Sequence, residues 1–272
     1  MEANEVRDTA QHPAPTEGRI AAFFDVDNTL VRGASLYAVA RKMHQHKFFH
    51  FREVLFFALK QLSFLARGEH LGDITAIRDR ALDMVRGVKV EQMRELGDEI
   101  YDEFIHPKLW GGTVAIARQH LNVGREVWLV TATPTEVAGV IARRLELTGA
   151  LGTRVESENG EYTGRLTGPI LHGADKAQAV RELAQQQNIN LAGSWGYSDS
   201  YNDVPLLEVV GHPVAINPDA RLRAYAKERG WQVYDFRTGQ RAARVSLKLA
   251  GVIGALWAAR RSLQRLRHGG GR

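Results

Sequence analysis

Two aspartates separated by one residue, Asp25 and Asp27, come directly after the apolar run Ile20–Phe24. Such a run is typical of a buried parallel strand, and residues two apart on a strand point the same way. The two carboxylates then lie close together, and their charges repel unless a cation lies between them. This arrangement suits a Mg2+ site in which a nucleophile and a proton carrier lie side by side. The alternative is a strand end followed by an Asx turn at Asp27.

Further polar residues follow two later apolar segments or open a helix. They are, in chain order, Thr131 after the predicted strand Glu126–Val130, Lys176 near a helix start, and Asp199, Asn202 and Asp203 after the predicted strand Trp195–Tyr197. Each residue alone is weak evidence for a functional site, because a threonine before a helix is usually an N-cap and a lysine is usually solvated. Ligands bind at the carboxyl ends of parallel strands, so we expect the set to converge. With Asp25 and Asp27 it supplies the parts of a phosphoryl-transfer site.

The elements that would position these residues alternate between strand and helix from Trp110 onward. This alternation predicts a doubly wound α/β fold, with a parallel sheet and helices on both faces. The later predicted strands are Val214–Ile216 and Trp231–Phe236. The predicted helices are Gly112–His120, Pro134–Leu147, Ala174–Gln187, Asp203–Val209 and Pro218–Arg229. The dipeptide Asn159-Gly160 predicts a hairpin turn.

The segment from Gly33 to about Pro107 lacks strand-like alternation and predicts helices. They lie near Ala34–His46, Phe51–Gly68, Gly72–Val85 and Val90–Ile105. The second is rich in Phe and Leu and more apolar than one buried stripe requires. We expect this second helix to form the core of a small helical bundle; the alternative is that it presents an apolar substrate surface or a homodimer surface.

The composition is that of a globular protein, with 272 residues, 44% of them hydrophobic and 25% charged. The absence of cysteine excludes disulfides, thiolate metal sites and cysteine nucleophiles. Residues 1–18 have no apolar core, so they predict a disordered leader and no signal peptide. The net charge of +5 comes from the end of the chain, because residues 237–272 hold nine Lys or Arg and no acid. The remainder is acidic, which argues against nucleic-acid binding.

The C-terminal segment 238–272 combines basic clusters with an unbroken run of eleven apolar residues, Leu249–Ala259. About twenty apolar residues are needed to span a bilayer, so a spanning helix is disfavoured. A basic amphipathic helix on an anionic membrane surface and a helix packed on the domain or in a dimer both remain open. The expected location is the cytoplasm, with contact to the inner membrane face through this tail.

In these motifs the chain resembles the haloacid dehalogenase superfamily of hydrolases, in the branch similar to phosphoserine phosphatase. The family's first motif, DxDxT, matches Asp25, Asp27 and Thr29. The second, a Thr or Ser closing an apolar strand, matches Thr131; the third, a lone lysine, matches Lys176; the fourth matches Asp199, Asn202 and Asp203. The resemblance implies a core domain of residues 19–32 and 108–237, with an inserted helical cap, 33–107.

The resemblance also implies roles for these residues. Asp25 is the nucleophile that forms an aspartyl-phosphate, and Asp27 is the acid and then the base. Mg2+ is held by Asp25, the backbone carbonyl of Asp27 and Asp199. The phosphate is bound by Thr131, Lys176 and backbone amides at Asn28 and Ala132, and the supporting residues are Thr29, Asn202 and Asp203.

One position departs from the phosphoserine-specific pattern. Serine-specific members carry a cap glutamate nine residues after the nucleophile, and Ala34 stands there. The cap residues expected to contact substrate are then Ser35 and Arg80. The predicted function is Mg2+-dependent hydrolysis of a small or lipid-like phosphomonoester. The alternatives are a phosphoserine phosphatase, a phosphotransferase with the same intermediate, and a non-catalytic membrane-associated binding module.

Overall fold

The computed structural model describes residues 18–46, 82–83 and 85–237. Its main sheet has six parallel strands in the order β3-β2-β1-β6-β7-β8. They are β1 Ala21–Phe24, β2 Glu126–Pro134, β3 Gly149–Thr153, β6 Trp195–Ser198, β7 His212–Ile216 and β8 Gln232–Tyr234. The remaining two, β4 Val155–Glu158 and β5 Glu161–Leu166, form an antiparallel hairpin.

The central strand β1 is fully inaccessible to solvent. Its alternate residues pack into different cores: Ala22 and Phe24 face one hydrophobic cluster, and Ala21 and Phe23 face the other. From β1 the chain builds β2 and β3 on one side, then returns to build β6, β7 and β8 on the other. The strand order therefore reverses beside β1, and its carboxyl end opens into the crevice where such folds bind ligands. The predicted doubly wound α/β fold is confirmed.

The helices flank this sheet. They are α1 Ser35–Gln45, α2 Val90–Ile100, α3 Gly111–Asn122, α4 Thr135–Arg144, α5 Ala174–Gln187, α6 Val204–Glu208 and α7 Ala220–Glu228. The predicted helices within the described residues are confirmed, with boundaries shifted by a few residues. The prediction of one helix over Val90–Ile105 was too simple, because α2 ends at Ile100 and a π-helical turn, Tyr101–Ile105, follows.

Strand β3 was not predicted, and two of its glycines explain why. Gly149 lies opposite Trp128 on β2, and a Cβ there would lie 2.5 Å from the indole ring. A Cβ at Gly152 would lie 2.7 Å from the carbonyl oxygen of Thr133. The close approach of β3 to β2 thus requires glycine, which removes the β-branched pattern by which a strand is recognised.

The predicted hairpin turn is confirmed at Asn159 and Gly160, which have φ values of 51° and 83°. A two-residue turn between antiparallel strands needs positive φ at both positions, and asparagine and glycine adopt it most readily. The hairpin also contacts the start of α2, where the Val90 amide donates to the Gly160 carbonyl at 2.9 Å.

Helices α1 and α2 from the inserted segment pack on each other through a buried lysine, Lys42, which pairs with Glu99 and Glu103. Helix α2 also packs on α4, where Gly97 lies against Val140.

The helices predicted at Phe51–Gly68 and over most of Gly72–Val85 lie outside the described residues. So do Arg80, almost all of the leader, and the tail from residue 238. In the three described ranges no helix is both long and apolar enough to cross a membrane.

Candidate active site

Asp25, at the end of β1, lies beside a buried lysine. Lys176, in the first turn of α5, donates from Nζ to Asp25 Oδ1 at 2.5 Å and to Asp203 Oδ2 at 2.8 Å. Asp203 also accepts from the Ser198 hydroxyl at 2.7 Å. Asp25, Lys176 and Asp203 are each no more than 5% exposed. The lysine therefore fixes the carboxylates that follow β1 and β6 in one cluster.

The cluster carries more negative charge than its lysine neutralises. Burial raises the pKa of Asp25 to about 6; the charge of Lys176 opposes this rise, and that of Asp203 adds to it. Burial raises the pKa of Asp199 to about 8, with further contributions from Asp25 and Asp203. Burial disfavours the charged form of Lys176, but the two adjacent carboxylates outweigh it and raise the lysine's pKa. The site as it stands would be stabilised by a further cation.

Asp199, after β6, is positioned from both sides. The Thr29 hydroxyl lies 3.5 Å from Asp199 Oδ1, and Thr29 is itself fixed by Thr113, whose hydroxyl donates to the Thr29 carbonyl at 2.8 Å. The Asp199 carbonyl accepts from the amide of Asp219, the N-cap of α7. The carboxylate is thus held at the carboxyl edge of the sheet, next to the end of β1.

Asp27 contacts the start of α1. Its Oδ1 accepts from the Ser35 amide at 2.7 Å and from the Ser35 hydroxyl at 2.5 Å. The Ser35 hydroxyl also lies 2.6 Å from that of Thr133, which in turn lies 3.2 Å from the hydroxyl of Thr131. A network of hydroxyl groups therefore connects Asp27 to the end of β2.

The turn after Asp27 depends on two asparagines. Asn28 has φ 57°, and its side chain accepts from the Gly33 amide at 3.0 Å. Asn217, buried after β7, donates to the Asn28 carbonyl at 3.2 Å and accepts from the Phe236 amide at 2.8 Å. Asn217 was missed from the sequence, although it follows the predicted strand Val214–Ile216. Ser198 and Thr133 come after predicted strands as well, but their hydrogen-bond partners were not predicted.

The structure brings Asp25, Lys176, Asp199 and Asp203 together, and Thr131 lies in the C-terminal half of the adjacent strand β2. Asn202 is exposed, and among the described residues its side chain makes no hydrogen bond to Lys176. Ala132 lies in β2, with its carbonyl accepting from the Thr153 hydroxyl. Ser35, expected to contact substrate, has its hydroxyl engaged by Asp27 and Thr133, while Arg80 is outside the described residues.

The donor set fits Mg2+. Asp25 and Asp199 are hard oxygen donors that interact electrostatically, in a site with unneutralised negative charge. Within the described part of the chain no three Asp, Glu or His side chains group closely enough to hold a metal ion. A metal here would therefore use two carboxylates and a backbone carbonyl together with water or substrate oxygens, as Mg2+ commonly does.

Residues 22–208 match the family model described as haloacid dehalogenase-like hydrolase. A relative from Mycobacterium tuberculosis, named phosphoserine phosphatase, is 51% identical over 242 residues, covering 89% of this chain and 79% of the relative. A crystal structure of a Bordetella pertussis protein of unknown function is 31% identical with a TM-score of 0.71, covering 80% of this chain and 99% of that one. A substrate-bound phosphoserine phosphatase structure shares the fold at 19% identity and TM-score 0.55, covering 83% and 99%.

The chain belongs to the haloacid dehalogenase-like hydrolase family. It is an enzyme of the phosphoserine-phosphatase-like branch, as its motifs indicated.

Proposed function

We propose that this protein hydrolyses phosphomonoesters through a phosphorylated aspartate at position 25. The observation that supports this most strongly is the buried contact of Lys176 with both Asp25 and Asp203. A lysine that is 4% exposed and held between two carboxylates is costly unless the site uses it. At the carboxyl end of the central strand, that cluster has the composition of a phosphoryl-transfer site.

In the proposed reaction an Asp25 carboxylate oxygen attacks phosphorus, and the bond to the leaving alkoxide breaks. The bridging lysine keeps Asp25 ionised against burial and orients it. Lys176 and the Thr131 hydroxyl, with backbone amides near Asn28 and Ala132, are assigned to the phosphoryl oxygens, where negative charge spreads in the transition state.

Asp27 is assigned the proton transfers. It gives its proton to the leaving alkoxide and then takes one from the water that cleaves the acyl phosphate, restoring Asp25. One Asp27 oxygen already accepts two hydrogen bonds from Ser35, so the other is the one free to exchange a proton.

Mg2+ would be held by Asp25, the Asp27 carbonyl and Asp199, and would supply charge neutralisation and polarisation of a phosphate oxygen. Thr29 supports Asp199, and Asp203 supports Lys176. Asn202 is assigned to the support of this same loop.

For the substrate, we propose a phosphomonoester other than phosphoserine, chosen by the inserted segment 33–107. The name of the 51% identical relative favours phosphoserine. Against it, Ala34 is exposed at the entrance to α1, where the serine-specific pattern places a glutamate for the ammonium group. Its neighbours Leu36 and Tyr37, 52% and 62% exposed, offer apolar surface instead. Phosphate release from sugar, amino-acid, nucleotide and lipid phosphates would rank the candidates.

A phosphotransferase would use the same residues and differ only in its acceptor, so product analysis with alcohol acceptors separates it from a hydrolase. A non-catalytic binding module is disfavoured, because burying Lys176 between Asp25 and Asp203 costs stability, and a protein without catalytic activity gains nothing from that arrangement.

We also propose that residues 238–272 hold the enzyme at an anionic membrane surface. The support is the sequence alone, nine basic residues and no acid around an apolar run from residue 237 onward. Full-length protein should sediment with anionic vesicles at low salt, and a chain ending at residue 237 should not. Equal sedimentation of the two chains would refute the proposal that this segment binds a membrane.

The test of the catalytic proposal is the variant Asp25→Asn. It should lose phosphate release to below about one thousandth of wild type, because an amide is not a nucleophile at phosphorus. The matched control is Asp98→Asn, an aspartate on α2 that pairs with Arg143 and Arg144 away from the site. It should retain most of the activity. Substantial turnover by Asp25→Asn would refute the assignment.

A further inference from the structure

The contact between Asp27 and Ser35 joins the proposed proton carrier to the first residue of the inserted segment's first helix. The N-cap of α1, Ala34, has extended backbone and contributes no side-chain hydrogen bond. The Asp27 carboxylate takes that place instead, accepting from both the amide and the hydroxyl of Ser35 on the same oxygen, Oδ1. Asp27 is therefore held by α1, eight residues further along the chain.

The hydroxyl network has one direction. A serine hydroxyl has a single hydrogen, and the Ser35 hydroxyl donates it to Asp27 Oδ1, which also accepts from the Ser35 amide. The 2.6 Å contact with Thr133 then requires Thr133 to donate to Ser35. The Thr131 hydroxyl lies 3.2 Å from that of Thr133 and donates to it only while no phosphoryl oxygen takes its hydrogen. Ser35, Thr131 and Thr133 are each no more than 1% exposed, so water does not replace these partners.

This network constrains one oxygen of Asp27 and leaves the other for proton exchange. It also links three parts of the molecule: the loop after β1, the C-terminal half of β2 with Thr131 and Thr133, and the start of α1. A shift of α1 would move both donors of the Asp27 carboxylate at once.

We propose that Ser35 is a positioning residue for Asp27, so that the orientation of the proton carrier depends on where the inserted segment begins. The inference rests on the proposed function and deepens it. It replaces the expectation that Ser35 contacts substrate, because the hydroxyl is already used on both sides.

A purely structural Ser35 would give a different result from a positioning one. A structural role predicts equal losses on all substrates. A positioning role predicts losses that grow with the need for a proton on the leaving group, because Asp27 is needed most when the leaving alkoxide is basic.

The experiment compares full-length wild type, Ser35→Ala, Ser35→Thr, Asp27→Asn and the double variant Ser35→Ala/Asp27→Asn. Each is assayed with saturating Mg2+ on 4-nitrophenyl phosphate, a good leaving group, and on glycerol phosphate, a poor one. Ser35→Ala should lower kcat about tenfold or more on the alkyl ester and less than about threefold on the aryl ester. Ser35→Thr, which keeps the hydroxyl, should recover most of the loss.

In the Asp27→Asn background, adding Ser35→Ala should change kcat by less than about twofold, because residues that act through one another are not additive. The matched control is Ser194→Ala, whose buried hydroxyl contacts the Ala21 amide and the Asn190 carbonyl at the opposite end of the sheet. It should lower stability and leave the ratio of the two substrates unchanged.

Equal losses on both esters, full additivity with Asp27→Asn, or a faster Ser35→Ala enzyme would overturn the positioning role. A failure of the proposed function would give a different result: wild type would release no more phosphate than Asp25→Asn from either ester.

Discussion

His120, in the last turn of α3, is a buried neutral histidine whose protonation should destabilise the fold. It is 5% exposed, with Nε2 2.7 Å from the Tyr197 hydroxyl and Nδ1 3.3 Å from Arg125 Nη1. A guanidinium only donates, so Nδ1 accepts and Nε2 carries the hydrogen. Burial, and then the charge of Arg125, lowers the pKa of His120 to about 4.

The effect on stability follows from linkage. An unfolded histidine titrates near pH 6.5, above the folded value, so the unfolded chain binds the proton first as the pH falls. The free energy of unfolding is therefore unaffected above about pH 6.5 and decreases as the pH falls toward about 4. Between about pH 7.5 and about pH 5 the loss is about 2 kcal/mol, and it reaches about 3 kcal/mol below pH 4.

The test is urea unfolding of wild type and His120→Gln at both pH values. Glutamine keeps an N–H group for Tyr197 but has no proton to gain. The stability margin of wild type over the variant should shrink by about 2 kcal/mol on going to the lower pH. Asp25 and Asp199, whose pKa values are raised, favour the folded state as the pH falls, but they do so in both proteins and cancel in the margin. A margin constant to within about 0.5 kcal/mol would refute the reasoning.

Three further predictions concern the site and its supports. Ala34→Glu should raise kcat/KM for phosphoserine about tenfold or more relative to glycerol phosphate, because the glutamate supplies an anion for the ammonium group of phosphoserine. An unchanged ratio of the two kcat/KM values would mean that the ammonium group does not bind at position 34. Gly152→Ala should lower the free energy of unfolding by about 1–3 kcal/mol, because its Cβ would meet the Thr133 carbonyl. Gly139→Ala, in open space on α4, should raise the free energy of unfolding by about 0.5–1 kcal/mol, and urea unfolding measures both variants. Removing divalent metal with EDTA should abolish phosphate release and Mg2+ should restore it; persistence in EDTA would contradict the metal assignment.

The sequence predicted the part of this site that follows from strand ends. Asp25 and Asp199 could be placed together because each follows an apolar strand, and the carboxyl ends of parallel strands share one edge. Thr131 was expected just after its strand and lies instead inside β2, in its C-terminal half. Lys176 was also expected in the site, near a helix start; the structure adds that its Nζ contacts both Asp25, 151 residues away, and Asp203.

Two kinds of feature could not be predicted. Strand β3 was hidden because Gly149 and Gly152 serve close packing, which no local propensity reports. The contact between Ser35 and Thr133 joins residues 98 positions apart and depends on how α1 leaves the loop after β1. Side-chain hydrogen bonds of this kind carry no periodic signal in the sequence, so only coordinates reveal them.

The central place of β1 has a consequence for synthesis of the chain. This strand is made first, yet its neighbour on one side, β6, is made late: the Ala21 amide and its partner Ser194 are 173 residues apart. At about 5–20 residues per second, about 9–35 s pass between them on the ribosome.

Throughout that interval the four apolar residues Ala21–Phe24 have an unpaired edge, although in the finished protein they are wholly inaccessible. An unpaired apolar strand is a template for pairing with another chain. Nascent chains that stop before residue 195 should therefore aggregate or recruit chaperones, and the catalytic centre cannot assemble until β6 has left the ribosome.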